Sequence, residues 1–250
     1  MIVSDAQVIY ERILSKQSNH FDALQLMALA CQQQGQLETA LKYFDKALHI
    51  DQSSAAVFYN RGVTLQDIKR LDEALQSYDQ ALRLKPDYAE AYNNRGVILQ
   101  ELKQPDEALQ SYDQALRLKP DYVDAYYNCG NTLKDLERLD EALQSYDQAL
   151  RLKPDYAEAY NKRGNTLQDL KRPDEALQSY DQALRLKPDY AEAYSNRGVI
   201  LQELKRPDEA LQSYNEAIRF NLNSSVTRPA RRVLAVFGVC NGLQLVAWRR

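Results

Sequence analysis

Apolar residues recur along most of this chain at helical spacing. The stretch from Ala89 to Tyr122, AEAYNNRGVILQELKQPDEALQSYDQALRLKPDY, shows the pattern in full and can be numbered as positions 1 to 34. At about 100° per residue, positions 3, 4, 7, 8 and 11 fall on one side of a first helix. In the second half, Ala108, Leu109, Tyr112, Ala115 and Leu116 make a matching stripe. Two amphipathic helices are predicted, and they must pair to bury these stripes. Pro120 cannot continue the second helix, and Asp121 is a candidate N-cap for the helix that follows. Asp87-x-x-Glu90, Asp155-x-x-Glu158 and Asp189-x-x-Glu192 resemble capping boxes with Asp as the cap, each worth about 1 kcal/mol. Pro105-Asp106-Glu107 places a proline and two acids where a second helix begins.

The pattern repeats. LDEALQSYDQALRLKPDY runs from Leu71 to Tyr88 and again from Leu139 to Tyr156, and PDEALQSYDQALRLKPDY from Pro105 to Tyr122 and from Pro173 to Tyr190. Glycines 62, 96, 130, 164 and 198 and prolines 86, 120, 154 and 188 all step by 34 residues. A period of this size implies a stacked array in which each unit contacts its neighbours. Six units are expected, at 21–54, 55–88, 89–122, 123–156, 157–190 and 191–224. Residues 1–20 align with a second helix alone, Ala6 with Ala40 and Tyr10 with Phe44, and are expected to cap the array as a half-repeat.

Tyr92, Gly96, Leu99, Ala108, Tyr112, Ala115 and Pro120 stand at positions 4, 8, 11, 20, 24, 27 and 32. In these residues the unit resembles the tetratricopeptide repeat (TPR). The resemblance implies an all-α, right-handed superhelical solenoid of stacked antiparallel helix pairs. The first unit departs from it with Leu24, Ala28, Cys31 and Gln52, and the last with Leu222. Atypical end units suit an array whose ends meet different neighbours.

Packing leaves positions 2, 5, 6, 9, 12 and 13 of each first helix on the side away from the core, the side that lines the concave groove in the TPR family. Position 6 reads Asn60, Asn94, Asn128, Lys162 and Asn196. A ladder of carboxamides offers a donor and an acceptor to any peptide backbone. Similar asparagine ladders line the TPR superhelix of O-GlcNAc transferases. Duplication of a tolerated polar residue is the alternative. Variation concentrates on the same face: Tyr59, Asn93, Tyr127 and Asn161 at position 5, Asn131 and Asn165 at position 9. These eleven residues are the candidate peptide-binding surface. Tyr59 and Tyr127 could stack on a ligand side chain or be neutral groove residues. The family's chaperone-tail clamp is not matched, because position 2 is acidic in most units (Asp22, Glu90, Asp124, Glu158, Glu192) and position 5 is never Lys. Acids at position 13 (Asp67, Glu101, Asp135, Asp169, Glu203) further favour a neutral or basic partner.

Composition narrows the function classes. The 250 residues carry a formal charge of −3, without the basic footprint of a nucleic-acid binder. The N-terminus, MIVSDAQVIYERIL, lacks the pattern of a secretory signal, which points to the cytoplasm. Cys31, Cys129 and Cys240 fit neither a disulfide framework nor a zinc site, and the first two read as reduced core residues. No cofactor or metal is expected.

Residues 225–250, SVTRPARRVLAVFGVCNGLQLVAWRR, leave the register. One reading is a closing helix that covers the last unit with Val233, Val236, Phe237 and Leu243. A lesser one is peripheral membrane contact, although the apolar run is short for a bilayer and contains Asn241 and Gln244. Gly238 to Gln244 resembles the nucleophile elbow of class I glutamine amidotransferases, but the two histidines, His20 and His49, both precede Cys240, so the thiol lacks the downstream base. The expected function is a non-enzymatic scaffold that holds an extended polypeptide segment. The alternative is the substrate-recognition portion of an O-GlcNAc-transferase-like enzyme without its catalytic domain.

Overall fold

The computed structural model describes the backbone of residues 2–225 and the side chains of residues 6–221. Among the described residues every regular element is an α-helix. The first helices are α2 (Phe21–Gln33), α4 (Ala55–Asp67), α6 (Ala89–Glu101), α8 (Val123–Asp135), α10 (Ala157–Asp169) and α12 (Ala191–Glu203). The second helices are α3 (Leu37–Ile50), α5 (Leu71–Leu84), α7 (Pro105–Leu118), α9 (Leu139–Leu152), α11 (Pro173–Leu186) and α13 (Pro207–Ser225). A single helix, α1 (Ile2–Lys16), precedes them and packs on α2. The chain forms two compact units, residues 1–132 and 133–250. In the first, α2 pairs with α3, α4 with α5 and α6 with α7; in the second, α10 pairs with α11 and α12 with α13. Neighbouring pairs stack through contacts such as α5 with α6 and α11 with α12.

A glycine and a tyrosine set the distance within a pair. A Cβ placed on Gly96 would lie 2.6 Å from Cε1 of Tyr112, and one on Gly164 the same distance from Tyr180. The rings of Tyr78, Tyr112 and Tyr180 are fully buried, flanked by buried alanines such as Ala108 and Ala115. Hydrogen lets the first helix rest against the ring face, where a methyl group would force the helices apart.

Two turns join the helices. Within a pair, Lys103 sits in the left-handed region (φ 63°), its N–H donating to the Gln100 carbonyl and that of Gln104 to Leu99. Lys69, Glu137, Lys171, Lys205 and Gly35 occupy the same place. Between pairs, Pro120 and Asp121 form the centre of a turn closed by the Tyr122 N–H on the Lys119 carbonyl at 3.1 Å.

This second turn corrects the capping expectation. The N-caps of α6, α10 and α12 are Tyr88, Tyr156 and Tyr190, with no side-chain cap bond. Each aspartate stands one residue too early, inside the proline turn, to reach the amides of the first helical turn. Side-chain caps occur where the unit is atypical: His20 Nδ1 accepts from the Ala23 N–H, and Ser54 Oγ from that of Val57. The glutamates of the supposed boxes instead pair with lysines, Glu90 with Lys119 at 3.2 Å and Glu158 with Lys187 at 3.0 Å.

Cys31 and Cys129 are buried and form no disulfide. Burial pushes the Cys31 thiol up, partly offset by a contact from Gln7. No described helix is long and apolar enough to cross a membrane. The closing helix expected near Val233, Val236, Phe237 and Leu243 and the elbow-like segment around Cys240 lie outside the described residues.

Candidate functional site

In the first compact unit, α4, α6 and α8 bring together Tyr59, Asn60, Asn93, Asn94, Tyr127, Asn128 and Asn131. The side chains form a polarised chain rather than a set of free groups. Asn128 Nδ2 donates to Asn93 Oδ1 (3.0 Å), Asn93 Nδ2 to Asn94 Oδ1 (3.2 Å), and Asn94 Nδ2 to the Tyr59 hydroxyl (3.2 Å). The Tyr59 ring lies 4.8 Å from that of Tyr88 and 5.9 Å from that of Tyr78. Burial raises the Tyr59 phenol above its ordinary range, opposed by the Asn94 bond. Asn60, Tyr127 and Asn131 are half-buried on the same helices.

In the second unit, α10 and α12 carry the corresponding residues. Asn196 Nδ2 donates to Asn161 Oδ1 (3.1 Å) and Asn165 Oδ1 (3.0 Å). Asn161 donates to Glu192 (3.0 Å) and to the Tyr190 hydroxyl (3.3 Å), while Tyr180 donates to Asn165 (2.7 Å). Lys162 lies 3.8 Å from Glu192.

The expectation of one exposed face therefore needs correction. Asn93 and Asn161 are buried, at 5% and 0% exposure. A helical wheel accounts for the partner within the pair, but the next first helix also lies against this side, as α6 does on α4 and α12 on α10. At Asn93 and Asn161 position 5 is covered by that neighbour, whereas position 6 stays half-open at Asn60, Asn94, Asn128, Lys162 and Asn196. Some of the acids on this side are paired: Glu101 with Lys69 at 3.0 Å and Asp169 with Lys134 at 2.8 Å, in addition to the two glutamates already described.

Sequence reasoning missed a clamp. Arg61 donates to Asp45 of the preceding pair (2.7 Å) and to Ser77 of its own (2.6 Å). Arg95 joins Asp79 and Ser111 in the same way, Arg163 joins Asp147 and Ser179, and Arg197 joins Asp181 and Ser213. The guanidinium fork binds two helices at once. The signal was present, since Arg, Asp and Ser recur at fixed phase, but each reads alone as a solvated surface residue. Cys129 stands where the arginine would fall in the fourth unit.

Family models described as TPR repeat match residues 67–103 and 130–171, and others described as tetratricopeptide repeat match 155–222 and 89–122. Together they span more than half of the chain. A model of subunit 3 of the anaphase-promoting complex, or cyclosome, matches residues 3–81. No curated protein matches the sequence. Among solved structures the chain is similar to YrrB, described as a TPR protein with an unusual peptide-binding site, at 26% identity and a TM-score of 0.62 over 74% of this chain and 95% of that one. It is similar in fold to PilF of Pseudomonas aeruginosa (21% identity, TM-score 0.68, 94% of this chain and 100% of that one). It is likewise similar to MamA from Desulfovibrio magneticus (20%, 0.62, 74% and 97%). None of the matching family models describes a glycosyltransferase, so the narrower resemblance rests on the asparagines alone. With its period, its helix pairs and the repeat models agreeing over most of the described residues, the chain belongs to the tetratricopeptide-repeat family.

Proposed function

We propose that this protein is a non-enzymatic interaction scaffold whose first helices hold an extended polypeptide segment, with Asn94 and Asn128 at the centre of the surface. The observation that carries this reading is the state of those two carboxamides. An asparagine has two donors and an acceptor with two lone pairs. Asn94 donates to Tyr59, meets the Tyr78 hydroxyl and accepts once, and Asn128 donates once. Each is held in orientation by its neighbours; Asn128 keeps a donor and an acceptor for a peptide backbone, and Asn94 keeps an acceptor. Such preorganisation lowers the entropy lost on binding. Asn60, Tyr59, Tyr127 and Asn131 flank this centre, and Asn93 supports it from below. In the second unit Asn161, Lys162, Asn165 and Asn196 form the corresponding stretch. The likeness to YrrB, with its peptide-binding site, supports the same reading. Asp124, exposed and without a cationic partner among the described residues, favours a neutral or basic segment.

The test is capture of peptides from a diverse immobilised library by the purified chain and by an Asn94→Ala/Asn128→Ala variant, with melting followed for both. The expected result is capture by the wild type and a loss of about tenfold or more in affinity for the variant, as the removal of two backbone-directed carboxamides predicts. Equal capture by a variant that is equally folded would sink the proposal.

A further inference from the structure

The face opposite the asparagine ladder carries two clefts, both within the first compact unit. One, of about 740 Å³, lies between α3 and α5 with Phe58 and Arg61 of α4 as its floor. The other, of about 730 Å³, lies between α5 and α7 with Tyr92 and Arg95 of α6 as its floor. They are the same cleft repeated one unit on. None of the asparagine-ladder residues lines either of them.

The two faces differ in what their carboxamides are doing. The asparagines are bonded largely to one another, whereas Gln76 and Gln80 on the wall of the first cleft, and Gln110 and Gln114 on that of the second, have no side-chain hydrogen bond among the described residues. Each pair is four residues apart on its helix, so both side chains face the same cleft. The charges sort in a similar way. Asp45 and Asp79 are held by Arg61 and Arg95, which cancels them. Arg83 lines both clefts and has no anionic partner among the described residues. Its natural partner, Asp79 one turn earlier, is the carboxylate that Arg95 has taken. Arg117 is placed differently. Asp113, one turn before it, has no clamping arginine, because residue 129 is Cys, and so remains available to Arg117.

We propose that these clefts form a second interaction surface for an extended, acidic protein segment, with Arg83 as the anchoring cation. The glutamines receive the segment's backbone, the aromatic floors Phe58 and Tyr92 receive its apolar side chains, and the guanidinium of Arg83 takes a carboxylate at the wall the two clefts share. The surface is independent of the asparagine face and has the opposite charge preference.

The experiment uses the full chain and a fluorescently labelled synthetic peptide with Glu and Leu at alternate positions of a proline-interrupted extended backbone, beside a sister peptide with Gln for every Glu. Anisotropy is read for the wild type and for Arg83→Gln, Arg117→Gln and Asn94→Ala/Asn128→Ala, with helicity checked for each. The expected result is about tenfold tighter binding of the Glu peptide, as a charge-assisted bond predicts. Arg83→Gln should remove that preference, Arg117→Gln should change it by about twofold or less, and the asparagine variant should leave it intact. The proposal is overturned if the two peptides bind alike, if Arg83→Gln leaves the preference unchanged, or if the asparagine variant abolishes it.

Discussion

Tyr78, Tyr112 and Tyr180 hold the same position in their repeats, yet their hydroxyls differ. Tyr78 donates to Gln66 at 2.9 Å and Tyr180 to Asn165 at 2.7 Å. The Tyr112 hydroxyl is buried without a partner in hydrogen-bond geometry. The Thr132 hydroxyl, which donates to the Asn128 carbonyl, lies beside it but outside bonding geometry. Val97 stands where Asn165 stands in the later repeat, which removes that acceptor, and the Tyr112 hydroxyl does not bond Gln100 as Tyr78 bonds Gln66. A buried unpaired hydroxyl loses its hydration without compensation. Tyr112→Phe is therefore expected to be neutral or to stabilise by up to about 1 kcal/mol, whereas Tyr78→Phe and Tyr180→Phe should each cost about 1 kcal/mol. Denaturant unfolding of the three variants checks this, and an equal cost at all three sites would show that Tyr112 has a partner. Site residues were legible at this scale only as phase. The recurrence of Asn60, Asn94, Asn128 and Asn196 at one position marked them, but their bonds to Asn93, Asn161 and Asn165 depend on the distance between stacked helices, which no single repeat contains.

At the scale of the element, helix starts and stops were the most legible feature, because the 34-residue period superimposes their signals. Proline at 86, 120, 154 and 188 ends the second helices of the four middle pairs, and Phe21, Ala55, Ala89, Val123, Ala157 and Ala191 each begin a helix. The chemistry of the caps was not legible, because Asp at N′ and Asp at N-cap differ by one residue, a shift that the Pro-Asp turn decides. The within-pair turn was also hidden. Its left-handed residue is Lys in four pairs and Glu in another, and Gly35 of the first pair is the sole glycine to hint at the backbone needed. A side chain there costs about 1 kcal/mol or more in a conformation that glycine adopts freely. Lys103 and Lys171 have no described side-chain bond to lose. Lys103→Gly is expected to raise stability by about 0.5–1 kcal/mol, after allowing for glycine's greater freedom in the unfolded chain. Lys171→Gly in the second compact unit should do the same. Thermal melts read both, and a fall in melting temperature would mean that the turn does not hold its left-handed residue as described.

Across the whole molecule, the buried tyrosines make stability depend on alkaline pH. Both compact units carry them, Tyr78 and Tyr112 in one and Tyr180 in the other. Burial raises all three phenols well above the ordinary tyrosine range of about 10, and pushes Tyr88 up to about 12 with help from Tyr59 and Glu90. The neutral phenol is thus favoured in the folded chain. Below about pH 10 the folded and unfolded states hold the same phenolic protons, and these groups leave stability independent of pH. Above it the unfolded chain ionises first, the folded chain retains more protons, and stability falls by about 1.4 kcal/mol per pH unit for each buried tyrosine. Several tyrosines acting together make the fall steep. Phenolate absorbance and helical circular dichroism followed through an alkaline titration should show the exposed tyrosines ionising first with helicity intact. The buried group should then ionise in one step coincident with loss of helix. Smooth ionisation of all tyrosines while the helices persist would contradict the placement of these rings against their glycines.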